Sequence, residues 1–486
     1  MNQPEKRAAE HGAIAAAART RLKPHFHGEL LAPGDETYDS AREVFNAMID
    51  RRPGLIARCT CVEDVARAVD FARGQGALVA VRGSGHNVAG FAVCDGGIVI
   101  DLSPMKRIAV DPAARTVRAE AGTTWGEVND ALQPHGLAAT GGFVSVTGVS
   151  GLTLGGGLGW LVRKHGLALD NLLCAQVVLA NGRMVMASAA ENADLFWAIR
   201  GGGGNFGIVT SFEFQVHPVG TVLAGIVLHP AAAAGAVLRR WREFEQTSPE
   251  ELTQGALLFH VPDDPSRPPA LRGAPVIGVG GVYAGALDAG EKVLAPLREY
   301  GPPLADLFRP APYNASQRMA DFLWPAGLCG YWKSRYLNAV SDAAIDVITD
   351  FFARVPSRRT VVILEYYGNS AMQRVPEDAT AFGHRRWVYN CLVTSAWSDP
   401  KDADQNIAWT KSLFEALRPF TANAAYVNYI DDEGAEGVKA SYSGEKLARL
   451  AALKGKYDPT NLFRMNQNIA PGGRGNDPAQ AAGRLS

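Results

Sequence analysis

Apolar positions repeat with two different periods along this chain, and the alternation between them outlines the architecture. Val62, Val65, Ala66, Val69 and Ala72 recur at helical spacing. Gly97–Leu102 is a compact apolar strand with Asp101 near its end, and Thr116–Ala121 alternates with period two. Such short strands and helices alternate from Asp35 to His217. From about Val219 to Asn423 the texture changes. Longer helical patterns at Ala232–Thr247, Asp342–Arg354 and Ala403–Leu417 alternate with strand-like runs such as Val361–Gly368, interrupted at Pro262–Pro269 and Pro302–Pro312. Residues 1–34 predict an Ala-rich helical lead-in ending in a Pro33-Gly34 turn. Lys446–Pro471 begins as a Lys-rich helix, and the Gly-rich tail over 472–486 predicts disorder. The fold class predicted is α+β, with a second domain starting near residue 219.

Charge adds little to this picture. Lys plus Arg number 48 against 49 Asp plus Glu, so no global field favours nucleic acid or a membrane surface. The N-terminal stretch lacks a signal-peptide core, and no apolar run approaches the ~20 residues of a membrane span; the expectation is a cytoplasmic protein, monomeric or homodimeric. The six cysteines are scattered, and no C-x-x-C or H-E-x-x-H pattern points to a metal. Glycine is the exception, with 52 residues gathered in clusters.

The first cluster is Arg82-Gly83-Ser84-Gly85-His86-Asn87, directly after the strand-like Ala77–Ala80. Small residues there let backbone N–H groups converge on an anion, and the histidine sets an imidazole beside it. The second, Gly155-Gly156-Gly157-Leu158-Gly159, has too many glycines for an ordinary helix and suggests a flat ligand against bare backbone. The third, Gly202–Gly207, fits G-x-G-x-x-G. It is followed by the alternating Ile208–Phe214 rather than a helix, which rules out a Rossmann turn.

Taken in order, Arg82–Asn87, Thr147–Gly157, Arg163–Leu172, Gly201–Thr210 and Asn461–Pro471 resemble the berberine-bridge-enzyme-like FAD-linked oxidases, of the p-cresol methylhydroxylase and vanillyl-alcohol oxidase fold. The resemblance runs from about Tyr38 to Pro471. It implies a two-part FAD domain, residues 35–218 plus a return over 441–471, around an inserted substrate domain, 219–440, with an antiparallel sheet covered by helices. It also implies FAD as cofactor, with the turn Arg82, Gly83, Ser84, Gly85 and His86 at the pyrophosphate, Asn87 beside it at the cofactor, and an 8α covalent bond to His86. Gly148, Gly151, Gly155, Gly156, Gly157, Gly159, Asn205, Gly207 and Ile208 are then expected to line the cofactor, with Gln467 and Asn468 returning towards it. Many relatives add a cysteinyl link in a C-P-x-V-G-type loop. Here Val144 stands where the sulfur would be, so a single link is expected. Thr147 replaces the residue that influences oxygen access in such loops, which leaves oxidase and dehydrogenase behaviour both open.

For the chemistry, Tyr426–Asp431 reads as a strand with Tyr426 and Asn428 on one side and Val427 and Tyr429 on the other. The resemblance gives the base role to Tyr429, which needs a cation or hydrogen-bond network to act near neutrality. Glu365, Tyr367 and Asn369 alternate and are candidates for a pocket, as are Tyr389 and Asn390; Trp324, Trp332 and Trp397 could form an aromatic wall. His384-Arg385-Arg386 reads as a solvated or ion-paired surface. The function expected is hydride removal from a C–H beside an alcohol or amine of a small molecule, with O2 as acceptor and H2O2 as product. A dehydrogenase with another acceptor and a non-catalytic flavin-binding protein are the alternatives.

Overall fold

The computed structural model describes residues 3–337 and 339–472. The tail expected to be disordered beyond Gly472 lies outside them. Among the described residues three large sheets organise the chain, beside the small two-stranded pair Leu137–Ala138 and His217–Pro218. The first has four strands in the order Glu29–Leu31, Leu55–Arg58, Ile98–Asp101 and Val79–Arg82, the last three parallel. Parallel strands need a crossover, and the amphipathic helix Val62–Gln75 supplies it, stopping at Gly76 in the left-handed conformation. Ile98–Asp101 is buried throughout, as a strand covered on both faces must be.

The lead-in is only partly the helix expected. Gln3–Arg21 is helical, but Glu29–Leu31 joins the first sheet, and Leu22 and Phe26 sit in its core. Apolar side chains there have a sheet edge to cover.

The second sheet is antiparallel, in the order Ile108–Asp111, Thr116–Glu120, Ile208–Gln215, Leu172–Val178 and Met184–Ser188. The alternation after Gly207 is thus a central strand, with Phe212 and Phe214 buried. The third sheet holds eight antiparallel strands between Thr221 and Trp397. Helices Ala234–Glu245, Leu287–Arg298, Asp342–Phe352 and Ala403–Leu417 pack on one face. Period-two alternation decides what each face does. Ala256, Leu258, Val362, Leu364, Cys391 and Val393 face those helices. Gly255, Leu257, Ile363, Glu365, Leu392 and Thr394 face the opposite way, into a cavity shared with the two smaller sheets. Among the described residues no helix is long and apolar enough to cross a membrane.

Candidate functional site

The cavity begins where strand Val79–Arg82 runs out. Gly83, Ser84, Gly85, His86 and Asn87 line it, with Gly85 at φ 76° turning the chain. The backbone N–H groups of Ser84, Gly85, His86 and Asn87 donate to no acceptor among the described residues, so four donors are free for an anion. Two of the neighbouring glycines are packing requirements. A Cβ on Gly83 would lie 2.3 Å from Ser150 Oγ, and one on Gly148 would lie 2.5 Å from Ser84 Oγ. Arg82 departs from expectation: its guanidinium turns away from the cavity to a two-point pair with buried Asp101, at 2.6 and 3.1 Å. A cation at the end of a parallel strand finds its neighbour's carboxylate before it finds a ligand.

The second glycine cluster also differs from the reading of bare backbone under a ligand. Helix Val149–Gly155 carries Gly151 and Gly155 along the cavity wall, and a Cβ on Gly151 would meet open space. Gly156, Gly157 and Gly159 are not in that wall. They permit close packing instead, since added Cβ atoms would strike Tyr426, Ala168 and the Gly141 carbonyl, at 2.8, 2.3 and 1.6 Å. The helix continues to Gly155 because only the residues after it adopt positive φ.

Val144, Thr147, Asn205, Gly207, Ile208 and Gln467 line the cavity. The loop carrying Val144 is pinned to a distant part of the chain, with Ser145 N and Oγ both donating to Asp321, at 2.8 and 2.6 Å. Asn205 anchors the C-terminal return: its amide donates to the Gln467 carbonyl and its Oδ1 accepts from Ile469 N, at 3.2 and 3.0 Å. Asn468 is not in the wall. Its Oδ1 is buried without a partner among the described residues.

At the far end the wall belongs to the large sheet. Trp324, Trp332, Leu257, Ile363 and Leu392 make it apolar, and Gln254, Thr394, Glu365 and Tyr429 supply the polar groups. Glu365 is the only Asp, Glu, Lys or Arg in the entire cavity wall among the described residues. Its Oε2 accepts from Asn390 at 2.7 Å and its Oε1 from the Tyr429 hydroxyl at 3.2 Å. Burial raises its pKa to about 7.

Tyr426–Asp431 is not the strand expected. Val427–Tyr429 is a single 3-10 turn, so Val427, Asn428 and Tyr429 all reach the cavity while Tyr426 does not. The Tyr426 hydroxyl accepts from Gly157 N and from Asn428 Nδ2, each at 2.8 Å, and its ring meets that of Tyr429 edge-on at 4.7 Å. Among the described residues Tyr429 gains no neighbouring cation. Burial and the Glu365 carboxylate push its phenol well above the ordinary value. Its hydroxyl donates to Glu365 Oε1.

The remaining candidates divide by strand face. Asn390 reaches the cavity side through Glu365, whereas Tyr389 turns to the helices and bonds buried Glu245. Asn369 lies past the end of strand Val361–Tyr366, and Trp397 is buried elsewhere. Arg385 is not at the surface: it is buried and paired with Asp170 at 2.6 Å.

The residues present fit FAD. A row of free backbone donors without a competing carboxylate suits a pyrophosphate, and a stretch of Gly-rich wall suits a flat ring. His86 offers Nε2, buried with no hydrogen-bond partner among the described residues.

Comparison with known proteins agrees with that chemistry. The FAD binding domain family matches residues 53–188, and the berberine and berberine-like family matches residues 425–470. An FAD-linked oxidoreductase of Dictyostelium discoideum is 31% identical over 446 residues, spanning 91% of this chain and 95% of its own. (R)-6-hydroxynicotine oxidase of Paenarthrobacter nicotinovorans is 32% identical over 464 residues, 92% of this chain and 97% of that one. The crystal structure of 6-hydroxy-D-nicotine oxidase from Arthrobacter nicotinovorans superposes with a TM-score of 0.83 at 29% identity, covering 92% of this chain and 99% of that chain. With its fold, its two family segments and near full-length relatives in agreement, this chain belongs to the berberine-bridge-enzyme-like FAD-linked oxidoreductases.

Proposed function

We propose that this enzyme is an oxidase that removes a hydride from a carbon bearing nitrogen or oxygen on a compact, largely apolar substrate, with an amine favoured over an alcohol. The observation that carries the reading is Glu365, a lone carboxylate without a cation partner at the apolar end of a cavity whose other end is a backbone anion cradle. A buried carboxylate without a counter-ion is costly, and a substrate ammonium supplies one. A carboxyl with pKa about 7 is also closer as a base to an ammonium than to an alcohol. An oligosaccharide would need many polar partners, and Trp324, Trp332, Leu257, Ile363 and Leu392 offer almost none.

In this reading Asn390 and Tyr429 hold the Glu365 carboxylate in place by donating to it, and Glu365 takes the substrate proton. Trp324 is fixed by its indole N–H to Thr394 Oγ1 at 3.0 Å and excludes water beside it. FAD, when bound, supplies the two-electron sink, and dioxygen carries those electrons away as hydrogen peroxide. The Ser84–Asn87 donors hold its pyrophosphate, and His86 is the single covalent link. Val144 at the other tethering position, and a cavity wall free of cysteine among the described residues, support one link rather than two.

The test is anaerobic bleaching of the bound flavin by a panel of aromatic amines, matched alcohols and oligosaccharides, followed by readmission of oxygen and a peroxide assay. Bleaching by amines with stoichiometric peroxide supports the proposal. Bleaching without peroxide makes the enzyme a dehydrogenase, and bleaching by oligosaccharides alone overturns the substrate reading.

A further inference from the structure

His86 is held in an unusual way. Functional histidines are commonly oriented by a hydrogen bond to one ring nitrogen. Here Nε2 is buried without a partner among the described residues, and the ring's one hydrogen bond is to its own backbone. What holds the ring against the rest of the fold is packing. Phe45 stacks on it at 4.2 Å between centroids and 21° between planes, and Trp332 meets it edge-on at 6.3 Å. Phe45 and Trp332 also touch edge to face, at 6.1 Å, so the three rings close on one another.

The three rings come from three distant parts of the chain, and the residue after Phe45 ties them together. Asn46 is 3% exposed. Its Nδ2 donates to the carbonyl of Val88, two residues after His86, at 2.8 Å, and to that of Gly330, two residues before Trp332, at 2.9 Å. Its Oδ1 accepts from Gly330 N at 3.0 Å. Backbone bonds from Phe45 N to Gly85 O and from Ala47 N to Leu328 O continue the lacing on both sides, at 3.1 and 3.0 Å.

We infer that Phe45 and Trp332, clasped through Asn46, are positioning residues that set the His86 imidazole for covalent attachment of FAD. The inference rests on the proposal that His86 is the tether. Attachment forms a bond between an imidazole nitrogen and the 8α carbon. The methyl C–H and the imidazole N–H bonds break, the two protons and the two electrons not used in the new C–N bond end on the flavin ring system, and dioxygen takes them up as hydrogen peroxide. For this the ring must present one nitrogen in one orientation, which a freely turning imidazole does not do. Burial also lowers the His86 pKa to about 4. At neutral pH that changes the unprotonated fraction little, since an ordinary histidine is already mostly neutral there. The clasp therefore acts through orientation. Because Trp332 and Gly330 belong to a strand of the large sheet, attachment also depends on that sheet being docked.

The test uses purified holoenzyme as wild type, Phe45→Leu, Phe45→Tyr and Trp332→Leu, with two readouts. One is the fraction of flavin retained by acid-precipitated protein; the other is total flavin bound before denaturation. Phe45→Leu keeps an apolar side chain but loses the stack, so it should bind FAD yet retain at most about one fifth of the wild-type covalent fraction. Phe45→Tyr should restore it. Should Phe45→Leu fail to fold, Trp332→Leu, which opens the clasp from the other side, gives the same reading. Full retention in either folded Leu variant overturns the clasp. Release of all flavin by wild type overturns the His86 tether itself, a separate outcome.

Discussion

In the proposed reaction Glu365 is the base, and its protonation can be followed directly. A base with pKa about 7 is active when ionised, so the rate of flavin reduction should fall about tenfold per pH unit below 7 and level off above it. Glu365→Gln should remove that dependence and lower the rate by about 10²–10⁴-fold, as read by anaerobic stopped-flow. Tyr429→Phe removes a donor that stabilises the ionised carboxylate, so it should lower the rate less and move the pH midpoint upward. An unchanged midpoint would show that the phenol does not act through Glu365. The stability consequence has the opposite sense to activity. A carboxyl whose pKa is raised on folding contributes stability below its unfolded value near 4.5, and that contribution is lost as pH rises through 7. In the flavin-free protein Glu365→Gln should therefore raise Tm at pH 8, by up to about 3 kcal/mol of stability, and leave it nearly unchanged at pH 4.5. Part of this was legible in sequence: Glu365 stands on an alternating strand, and alternation names the face. Its partners were not, because Asn390 and Tyr429 come from elsewhere in the chain. Arg82 misled for the same reason, since nothing adjacent in sequence announces Asp101 beneath it.

Elements with a long period were read well, and short ones only in part. Val62–Gln75, Ile208–Gln215 and Ala403–Leu417 carry enough turns or alternations for the burial pattern to dominate. Val427–Tyr429 is three residues long, and three residues fit a strand or a 3-10 turn equally until Gly157 and Asn428 claim the Tyr426 hydroxyl. The helix Gly444–Tyr457 shows how an element end can hold a site. Lys454, fully buried in its last turn, donates to Asp458 at 2.7 Å and to the carbonyls of Asn205 and Phe463, each at 2.8 Å. Asp458 in turn accepts from Leu462 N and Phe463 N, both at 2.8 Å. This knot joins the helix, the Gly202–Gly207 loop and the return segment with Gln467. Lys454→Met fills the space but leaves a buried carboxylate without its cation and two carbonyls without a donor. It should cost about 3–5 kcal/mol in thermal or urea unfolding. A loss under 1 kcal/mol would show the knot to be dispensable.

The three sheets enclose one cavity only while the large sheet stays docked on the two small ones, and buried polar contacts carry that docking. Asn129 bonds Gln317 at 3.0 Å, Ser145 bonds Asp321, and Arg163 donates to the Ser248 and Pro249 carbonyls, at 3.1 and 2.9 Å. The order of glycine motifs pointed to this arrangement through the family resemblance, but no sequence pattern marked the contacts. The run His384-Arg385-Arg386 reads as a solvated or ion-paired surface, and a charge run reveals nothing of burial or of which partner far along the chain it meets. Arg385 instead reaches Asp170 with two nitrogens, at 2.6 and 3.0 Å, and Thr380 Oγ1 at 2.8 Å. Such a pair is a test of docking because its two halves cost differently when removed. Arg385→Leu strands Asp170 at 8% side-chain exposure, which should cost about 3–5 kcal/mol. Adding Asp170→Asn removes the uncompensated charge and should return about half of that loss. If the pair clasps the domains, Arg385→Leu should also weaken noncovalent FAD binding in a His86→Ala background, and the double variant should recover it. Equal destabilisation by the single and double variants, with FAD binding unmoved, would mean that Arg385 supports only its own loop and that the cavity is held closed by the remaining contacts.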